Sequence, residues 1–132
     1  DIGIIEAIAE MVSDINKTGM MMISLDAFEE EAVEIEDSLK LMVFRIVQEQ
    51  INNILKHSQA TEAEINFIIN QNSLNLIIKD NGIGFDISKK INGIGLKNIS
   101  GRAELYNGDM KIISSPGKGC TLKVEIPIND SL

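Results

Sequence analysis

Three segments of the chain repeat hydrophobic residues at the three-and-four spacing of an amphipathic helix. The first covers residues 2–17 and ends before Gly19. The second, residues 38–57, has the strongest signal, because its apolar positions share one helical face: Leu39, Met42, Val43, Ile46, Val47, Ile51 and Ile54. A third helix is predicted from residue 96 to residue 106, where Asn107-Gly108 supplies a left-handed C-terminal cap.

Other segments alternate hydrophobic and polar residues, which is typical of strands. Residues 20–28 predict a short strand, and residues 65–69 and 74–78 predict a hairpin around a polar turn. Residues 110–114 and 122–128 predict a second hairpin around Pro116-Gly117-Lys118-Gly119. The order of elements predicts an α+β fold: a two-layer sandwich with a mixed, mostly antiparallel sheet covered on one face by helices.

The length and composition predict one folded domain. The chain has 132 residues, of which 44% are hydrophobic and 24% charged, values typical of globular proteins. We divide it into an N-terminal helix, strand and acidic connection (residues 1–37) and a core (residues 38–128). A single cysteine, Cys120, and a single histidine, His57, exclude an intrachain disulfide and a Cys/His zinc site. Without a signal segment or membrane span, a cytoplasmic location is expected.

The net charge of -8 argues against binding to nucleic acid or to an anionic membrane. The charge is unevenly distributed. Residues 1–40 hold 11 acids and 2 bases, a net charge of -9, whereas residues 41–132 hold 9 acids and 10 bases, a net charge of +1. An anionic ligand bound by the second segment therefore meets no uniformly repulsive field.

Glycine is concentrated in the second half of the chain. Eight of the ten glycines lie between residues 82 and 119, and two tight clusters occupy residues 80–85 and 92–96. Such glycines let the backbone turn sharply and present amide groups to phosphate oxygens. No glycine-lysine-serine/threonine tripeptide is present, which excludes a Walker P-loop, and Asn98 stands where a Rossmann fingerprint needs its third glycine.

Asp80 keeps the strand parity of three apolar residues, so its carboxylate is predicted to face the core side of the sheet: Leu74, Leu76 and Ile78. A buried carboxylate needs a hydrogen-bond donor. The exocyclic amine of an adenine would supply one. The backbone of the aspartate's own glycine turn is an equally good candidate, and the residues alone leave both open.

Glu49, Asn53 and Lys56 fall on one edge of the helix predicted over residues 38–57. Their oxygens and ammonium group suit a metal-bound polyphosphate, although an ordinary polar helix face has the same composition. His57 projects onto the apolar stripe, and we interpret it as a packed or helix-terminal residue.

Four motifs occur together in a recognisable order. Residues 44–57, FRIVQEQINNILKH, resemble an asparagine box, and Asp80-x-Gly82-x-Gly84 resembles an adenine-recognition box. Gly93-Ile94-Gly95-Leu96 resembles a phosphate-side glycine box, and Pro116-Gly117-Lys118-Gly119 with its closing strand completes the series. The combination resembles the ATP-binding domain of sensor histidine kinases. This domain belongs to a wider superfamily that also contains gyrase and MutL. The eight-residue lid between Gly84 and Gly93 is similar to the subgroup that pairs with nitrate-response-type regulators.

The resemblance implies a Bergerat-type ATP-binding fold and a role for each matching residue. Asp80 would bond the adenine amine, Asn53 would bind Mg²⁺, and Glu49 would polarise the attacking group. The remaining positions would contact ATP: Lys56, Gly82, Gly84, Gly93, Gly95, Leu96 and Thr121. Cys120 departs from the family, which usually has threonine at this position, and Thr121 adjoins it.

The resemblance also implies phosphoryl transfer from Mg-ATP to a histidine on a separate dimerisation domain, with a response regulator downstream. His57 lies inside the asparagine box, so this segment contains no phosphoacceptor. The parent kinase would hold this domain in the cytoplasm, whether or not the parent is membrane-bound. Two other functions in the superfamily stay open: an anti-sigma or switch-type serine kinase, and a gyrase-like ATPase in which Glu49 activates water. An α+β domain without a ligand is the third alternative.

Overall fold

Five strands and four helices make up the described part of a computed structural model, residues 3–31, 33–90 and 96–128. A π-helical turn, Ile54–Ser58, continues the second helix. In chain order the elements are α1 (Ile4–Thr18), β1 (Met22–Glu29), α2 (Asp37–Asn53), β2 (Glu62–Ile69), β3 (Ser73–Asp80), α3 (Ile87–Lys90), α4 (Leu96–Glu104), β4 (Asp109–Ser114) and β5 (Cys120–Pro127). Each helix and strand predicted from the sequence is present, and the short helix α3 is an addition.

The strands form one sheet in the order β1-β2-β3-β5-β4. β1 and β2 are parallel, whereas β2–β3, β3–β5 and β4–β5 are antiparallel. The parallel pair is joined through α2, because two parallel neighbours need a crossover rather than a tight turn. The predicted mixed, mostly antiparallel sheet is therefore confirmed.

The sheet is buried on one face only. Along β2 and β3 the buried positions alternate with exposed or half-buried ones, and the buried set packs under the helices: Ala63, Ile65, Phe67, Ile69, Leu74, Leu76 and Ile78. The opposite face carries charged residues such as Glu64 and Lys79, which are paired across β2 and β3. This distribution confirms the predicted two-layer sandwich.

Helix α1 shares this core through Ile4, Ile8 and Val12. Asn16 links the end of α1 to the first strand by two hydrogen bonds: its Nδ2 donates to the Ile23 carbonyl over 2.9 Å, and its Oδ1 accepts from the Ile23 amide over 2.7 Å. The N-terminal helix and strand therefore pack as part of the sandwich. Among the described helices, none is long and apolar enough to cross a membrane.

Candidate functional site

A cavity of about 380 Å³ opens at one end of the sandwich, where the end of α2 meets the ends of β3 and β5 and the loop after β3. Its size falls in the range of small-molecule sites. The lining residues are Gln50, Asn53, Ile54, His57, Ser58, Asp80, Ile83, Gly84, Phe85, Asp86, Pro116 and Cys120. Residues of the predicted asparagine box and of the predicted adenine box thus face the same space.

Asp80, the last residue of β3, is 5% exposed and lines the cavity. The Gly82 amide donates to its Oδ1 over 2.7 Å. Burial raises the pKa of the carboxyl group, and this backbone hydrogen bond partly offsets the rise. Of the two candidate donors left open by the sequence, the aspartate's own glycine turn is the one present in the structure. The turn takes one carboxylate oxygen, and no hydrogen bond to Oδ2 is found among the described residues.

The loop after Asp80 is packed so closely that two of its positions accept only glycine. A Cβ atom at Gly82 would collide with the carbonyl oxygen of Ser58, and one at Gly84 would collide with that of Ser115. Gly84 also has φ +65°, a conformation that L-residues rarely adopt. The Ile83 amide donates to the Ser58 carbonyl over 2.8 Å. The two glycines therefore allow the loop after Asp80, which lines the cavity, to pack closely against Ser58 and Ser115.

Asn81 anchors the same loop from outside the cavity. Its Oδ1 accepts from the amides of Thr61 and Glu62 over 2.9 and 3.1 Å, and its Nδ2 donates to Thr61 Oγ1 over 2.9 Å. These bonds tie the end of β3 to the start of β2. Sequence reasoning missed this anchoring role, although an asparagine before a glycine is a common sign of such side-chain-to-backbone bonding.

The predicted polar edge of α2 is only partly assembled at the cavity. Asn53 lines it, and its Nδ2 donates to Gln50 Oε1 over 3.3 Å. Glu49 is half-buried and Lys56 is exposed, and neither lines the cavity. His57 does line the cavity and is exposed, so it is not packed in the core; its place at the helix end agrees with the helix-terminal alternative of our interpretation.

The spacing along the helix accounts for the place of His57. His57 follows Asn53 by four residues and Ile54 by three, so it shares a helix face with these two cavity-lining residues. The backbone here is a π-helical turn that begins at Ile54 and ends at Ser58. The place of His57 at the cavity was therefore predictable from the spacing.

Gln50 and Cys120 were not predicted as site residues, yet both line the cavity. In the described part of the chain, Gln50 and Asp80 are the two buried polar or charged side chains. Burial, followed by the charge of Asp80, raises the pKa of the Cys120 thiol to about 11, although nearby side chains of Ser114 and Gln50 act in the opposite direction. A signal for Gln50 was available, since a glutamine interrupts the apolar stripe of α2 between Ile46 and Ile54.

The other predicted ATP contacts lie away from the cavity or beyond the described residues. Gly93 and Gly95 fall outside the described ranges. Leu96 begins α4, and its side chain is buried in the core. Thr121 alternates with the inward-facing Cys120 and belongs to the outer face of β5, so its side chain does not line the cavity.

The oxygen atoms at the cavity suit a cation that arrives with its ligand. No group of three or more histidine, cysteine, aspartate or glutamate side chains that could hold a metal occurs among the described residues. Asn53 offers one amide oxygen at the wall. Mg²⁺ commonly takes few protein ligands, keeps several waters and shares the phosphate oxygens of a nucleotide. The Asn53 oxygen therefore fits an Mg²⁺ ion that takes its other ligands from phosphate oxygens and water.

Comparison with known proteins gives consistent matches. Sensor protein VraS of Staphylococcus saprophyticus is 36% identical over 125 residues, which cover 94% of this chain and 35% of that protein. Sensor histidine kinase ComP of Bacillus subtilis is 34% identical over 131 residues, 97% of this chain and 17% of that protein. The solved structure of Acinetobacter baumannii histidine kinase AdeS superposes with a TM-score of 0.74 at 17% identity, covering 96% of this chain and 64% of that one.

The chain spans about a third of the length of VraS and less of ComP, so these relatives contain segments without a counterpart here. The structural match to AdeS is at low identity and bears on the fold alone. A sequence-family match covers residues 36–130, which include both walls of the cavity. The chain belongs to the family described as histidine kinase-, DNA gyrase B-, and HSP90-like ATPases.

Proposed function

We propose that this chain is the ATP-binding catalytic domain of a sensor histidine kinase, and that it positions Mg-ATP for transfer of the γ-phosphoryl group to a histidine on a separate dimerisation domain. The observation that carries the proposal is the buried Asp80 carboxylate at the cavity, with Asn53 on the facing helix. A buried carboxylate oxygen in a cavity of nucleotide-compatible size calls for a donor from the ligand.

Asp80 would select the base. The exocyclic amine of adenine donates a hydrogen bond to Oδ2, whereas guanine presents a carbonyl oxygen at the same position and would leave the carboxylate unpaired. Sites built around one buried hydrogen bond reject analogues that lack it strongly, because the polar group is left unsatisfied. Ile83, Phe85 and Ile54, which also line the cavity, offer apolar surface for the faces of the base.

The polyphosphate would extend toward the end of α2. Asn53 would hold Mg²⁺ through Oδ1, and the ion, when bound, neutralises charge on the phosphates. Lys56 is exposed within the π-helical turn, where its long side chain could follow a phosphate at the mouth of the cavity. Gly93 and Gly95 would add backbone amides, Gly82 and Gly84 would shape the base wall, and Leu96 and Thr121 stay predicted contacts.

Glu49 would polarise the attacking imidazole, one turn before Asn53 on the same helix. In this proposal residues 1–37 form an N-terminal extension of the nucleotide-binding core, residues 38–128. The phosphoacceptor domain of the parent kinase is the direct partner and a response regulator acts downstream, with no contact to nucleic acid or membrane by this segment. The names of VraS and ComP as sensor proteins support this placement, and the proposal includes a cytoplasmic location for the segment.

Two measurements test the proposal. Isothermal titration of the purified chain with ADP is expected to give Mg²⁺-dependent binding, and GDP is expected to give none. Incubation of the full-length kinase with γ-labelled ATP is expected to yield phosphate on protein that is stable in base and labile in acid, as phosphohistidine is. Acid-stable phosphoserine on a partner would indicate the serine-kinase alternative. Steady ATP hydrolysis by the isolated chain, abolished by Glu49→Ala, would indicate the gyrase-like alternative.

A further inference from the structure

Gln50 is an unusual residue for its position. It lies in the last turns of α2, on the face that packs against the sheet, and its neighbours along that face are the fully buried Ile46 and Val47. Its side chain is 3% exposed. A carboxamide in such a place loses its water and must find partners, so an apolar residue would be easier to bury. The burial of Gln50 at the cavity therefore calls for a function.

One partner of Gln50 is the proposed cation ligand. Asn53 Nδ2 donates to Gln50 Oε1 over 3.3 Å. A carboxamide has one acceptor oxygen and one donor nitrogen at fixed positions, so holding the nitrogen of Asn53 determines where its oxygen points. With Nδ2 turned toward Gln50, Oδ1 is directed away from Gln50. The bond thus selects one of the two amide orientations of Asn53.

The other neighbour of Gln50 lies at the base end of the cavity. Cys120 lines the same cavity as Gln50, and the Gln50 side chain acts to lower the pKa of the Cys120 thiol. Cys120 is directly opposite Asp80 in the β3–β5 pairing. Gln50 therefore shares one cavity with Cys120, with the residue that would hold the cation and with the residue that would hold the base.

We propose that Gln50 is a positioning residue that orients the Asn53 amide, so that Oδ1 faces the Mg²⁺ brought by the nucleotide. This inference rests on the proposed function and adds a residue to it. Gln50 does not touch the cation or the phosphates. Its effect is expected in the extra affinity that Mg²⁺ confers on ADP, and not in the affinity for ADP alone.

The experiment compares dissociation constants for ADP measured by calorimetry with Mg²⁺ and with EDTA. Gln50→Met keeps the length of the side chain and removes the acceptor oxygen. The dissociation constant in EDTA divided by the constant with Mg²⁺ measures the affinity that Mg²⁺ adds. This ratio is expected to fall about fivefold in the variant, the size expected from one neutral hydrogen bond. The constant in EDTA should change by less than twofold. Gln50→Glu, which keeps an acceptor oxygen, should restore at least half of the lost ratio.

Gln48→Met is the matched control, because Gln48 is an exposed glutamine on the same helix and should leave the ratio unchanged. Gln50→Leu also lacks the acceptor and replaces Gln50→Met if that variant does not fold. An unchanged ratio in the folded variant, an equal loss with and without Mg²⁺, or no recovery in Gln50→Glu would overturn the inference. A wild-type chain that binds no ADP would instead overturn the proposed function itself.

Discussion

Asp80 and Cys120 lie directly opposite each other on β3 and β5, and both side chains line the cavity at the end of the sheet. The antiparallel register puts a buried carboxylate beside a buried thiol, and the charge of Asp80 contributes to the raised pKa of Cys120. Strand pairing therefore assembles the polar end of the proposed base site without a ligand. Holding the Asp80 carboxylate out of water lowers the free energy of unfolding, because a buried charge loses its hydration.

Asp80→Asn should separate stability from binding. The asparagine oxygen can still accept from the Gly82 amide, while the desolvated charge is removed, so the free energy of unfolding at pH 7 should rise by about 1 kcal/mol. ADP affinity should fall at least a hundredfold, because the amide nitrogen cannot accept from the adenine amine. Urea denaturation and calorimetry measure the two effects. A folded variant that retains wild-type affinity would contradict the role of Asp80.

The difference in the free energy of unfolding between Asp80→Asn and the wild-type chain should depend on pH. Burial raises the pKa of Asp80 above its ordinary value of 3.8, so the folded state holds this proton more tightly than the unfolded state does. The contribution of Asp80 to stability is then fully present below pH 3.8 and is lost as pH rises through the folded pKa. The advantage of Asp80→Asn should accordingly grow between pH 4 and pH 7, as urea denaturation across this range would measure. A constant difference would argue against a desolvated carboxylate.

Asn53→Ala should weaken Mg-ADP binding about tenfold and leave binding in EDTA nearly unchanged, because the variant loses an oxygen ligand of the cation and little contact with the base. Calorimetry with and without Mg²⁺ distinguishes the loss of the cation ligand from a loss of contact with the base. Asn52→Ala is the natural comparison, since Asn52 is an exposed neighbour on the same helix and does not line the cavity. Equal behaviour of the two variants would remove Asn53 from the site.

Gly84→Ala should destabilise the fold by more than about 2 kcal/mol, because the added Cβ collides with the Ser115 carbonyl at a left-handed φ. Gly101→Ala makes the same chemical change on the exposed surface of α4, where nothing lies within 4 Å of the new atom. It should stabilise the chain by up to about 1 kcal/mol through helix propensity. Thermal or urea unfolding of both variants tests the contrast. Similar stabilities would show that the loop can relax around the methyl group.

Cys120 should react slowly with iodoacetamide in the folded chain. A thiol with a pKa of about 11 instead of 9.0 has a roughly hundredfold lower thiolate fraction at pH 8, and burial restricts access further. The chain has one cysteine, so mass spectrometry of the whole protein reads this site alone. Labelling in urea supplies the unprotected rate, and Mg-ADP should slow the native reaction again. Equal rates in buffer and in urea would contradict the burial of the thiol.

Much of the fold follows from local patterns in the sequence. The alternation along β2 and β3 determines which side chains face the helices, because successive residues of a strand point to opposite faces. The same parity predicted that Asp80 would face inward, and the three-and-four repeat predicted α1, α2 and α4. These features depend on the geometry of one strand or one helix at a time, so a single stretch of residues is sufficient to specify them.

The composition of the cavity depended on contacts that no single stretch specifies. The pairing of β3 with β5 brings Cys120, and not Thr121, to the side of Asp80, and the packing of α2 over the sheet adds Gln50 to the same group. His57, at the end of the same helix face, also lines the cavity. Register and helix placement are decided by the packing of elements distant in sequence. The sequence alone determined the two layers of the fold and the inward direction of Asp80. The tertiary structure decided which side chains surround Asp80, because those side chains come from elements distant in sequence.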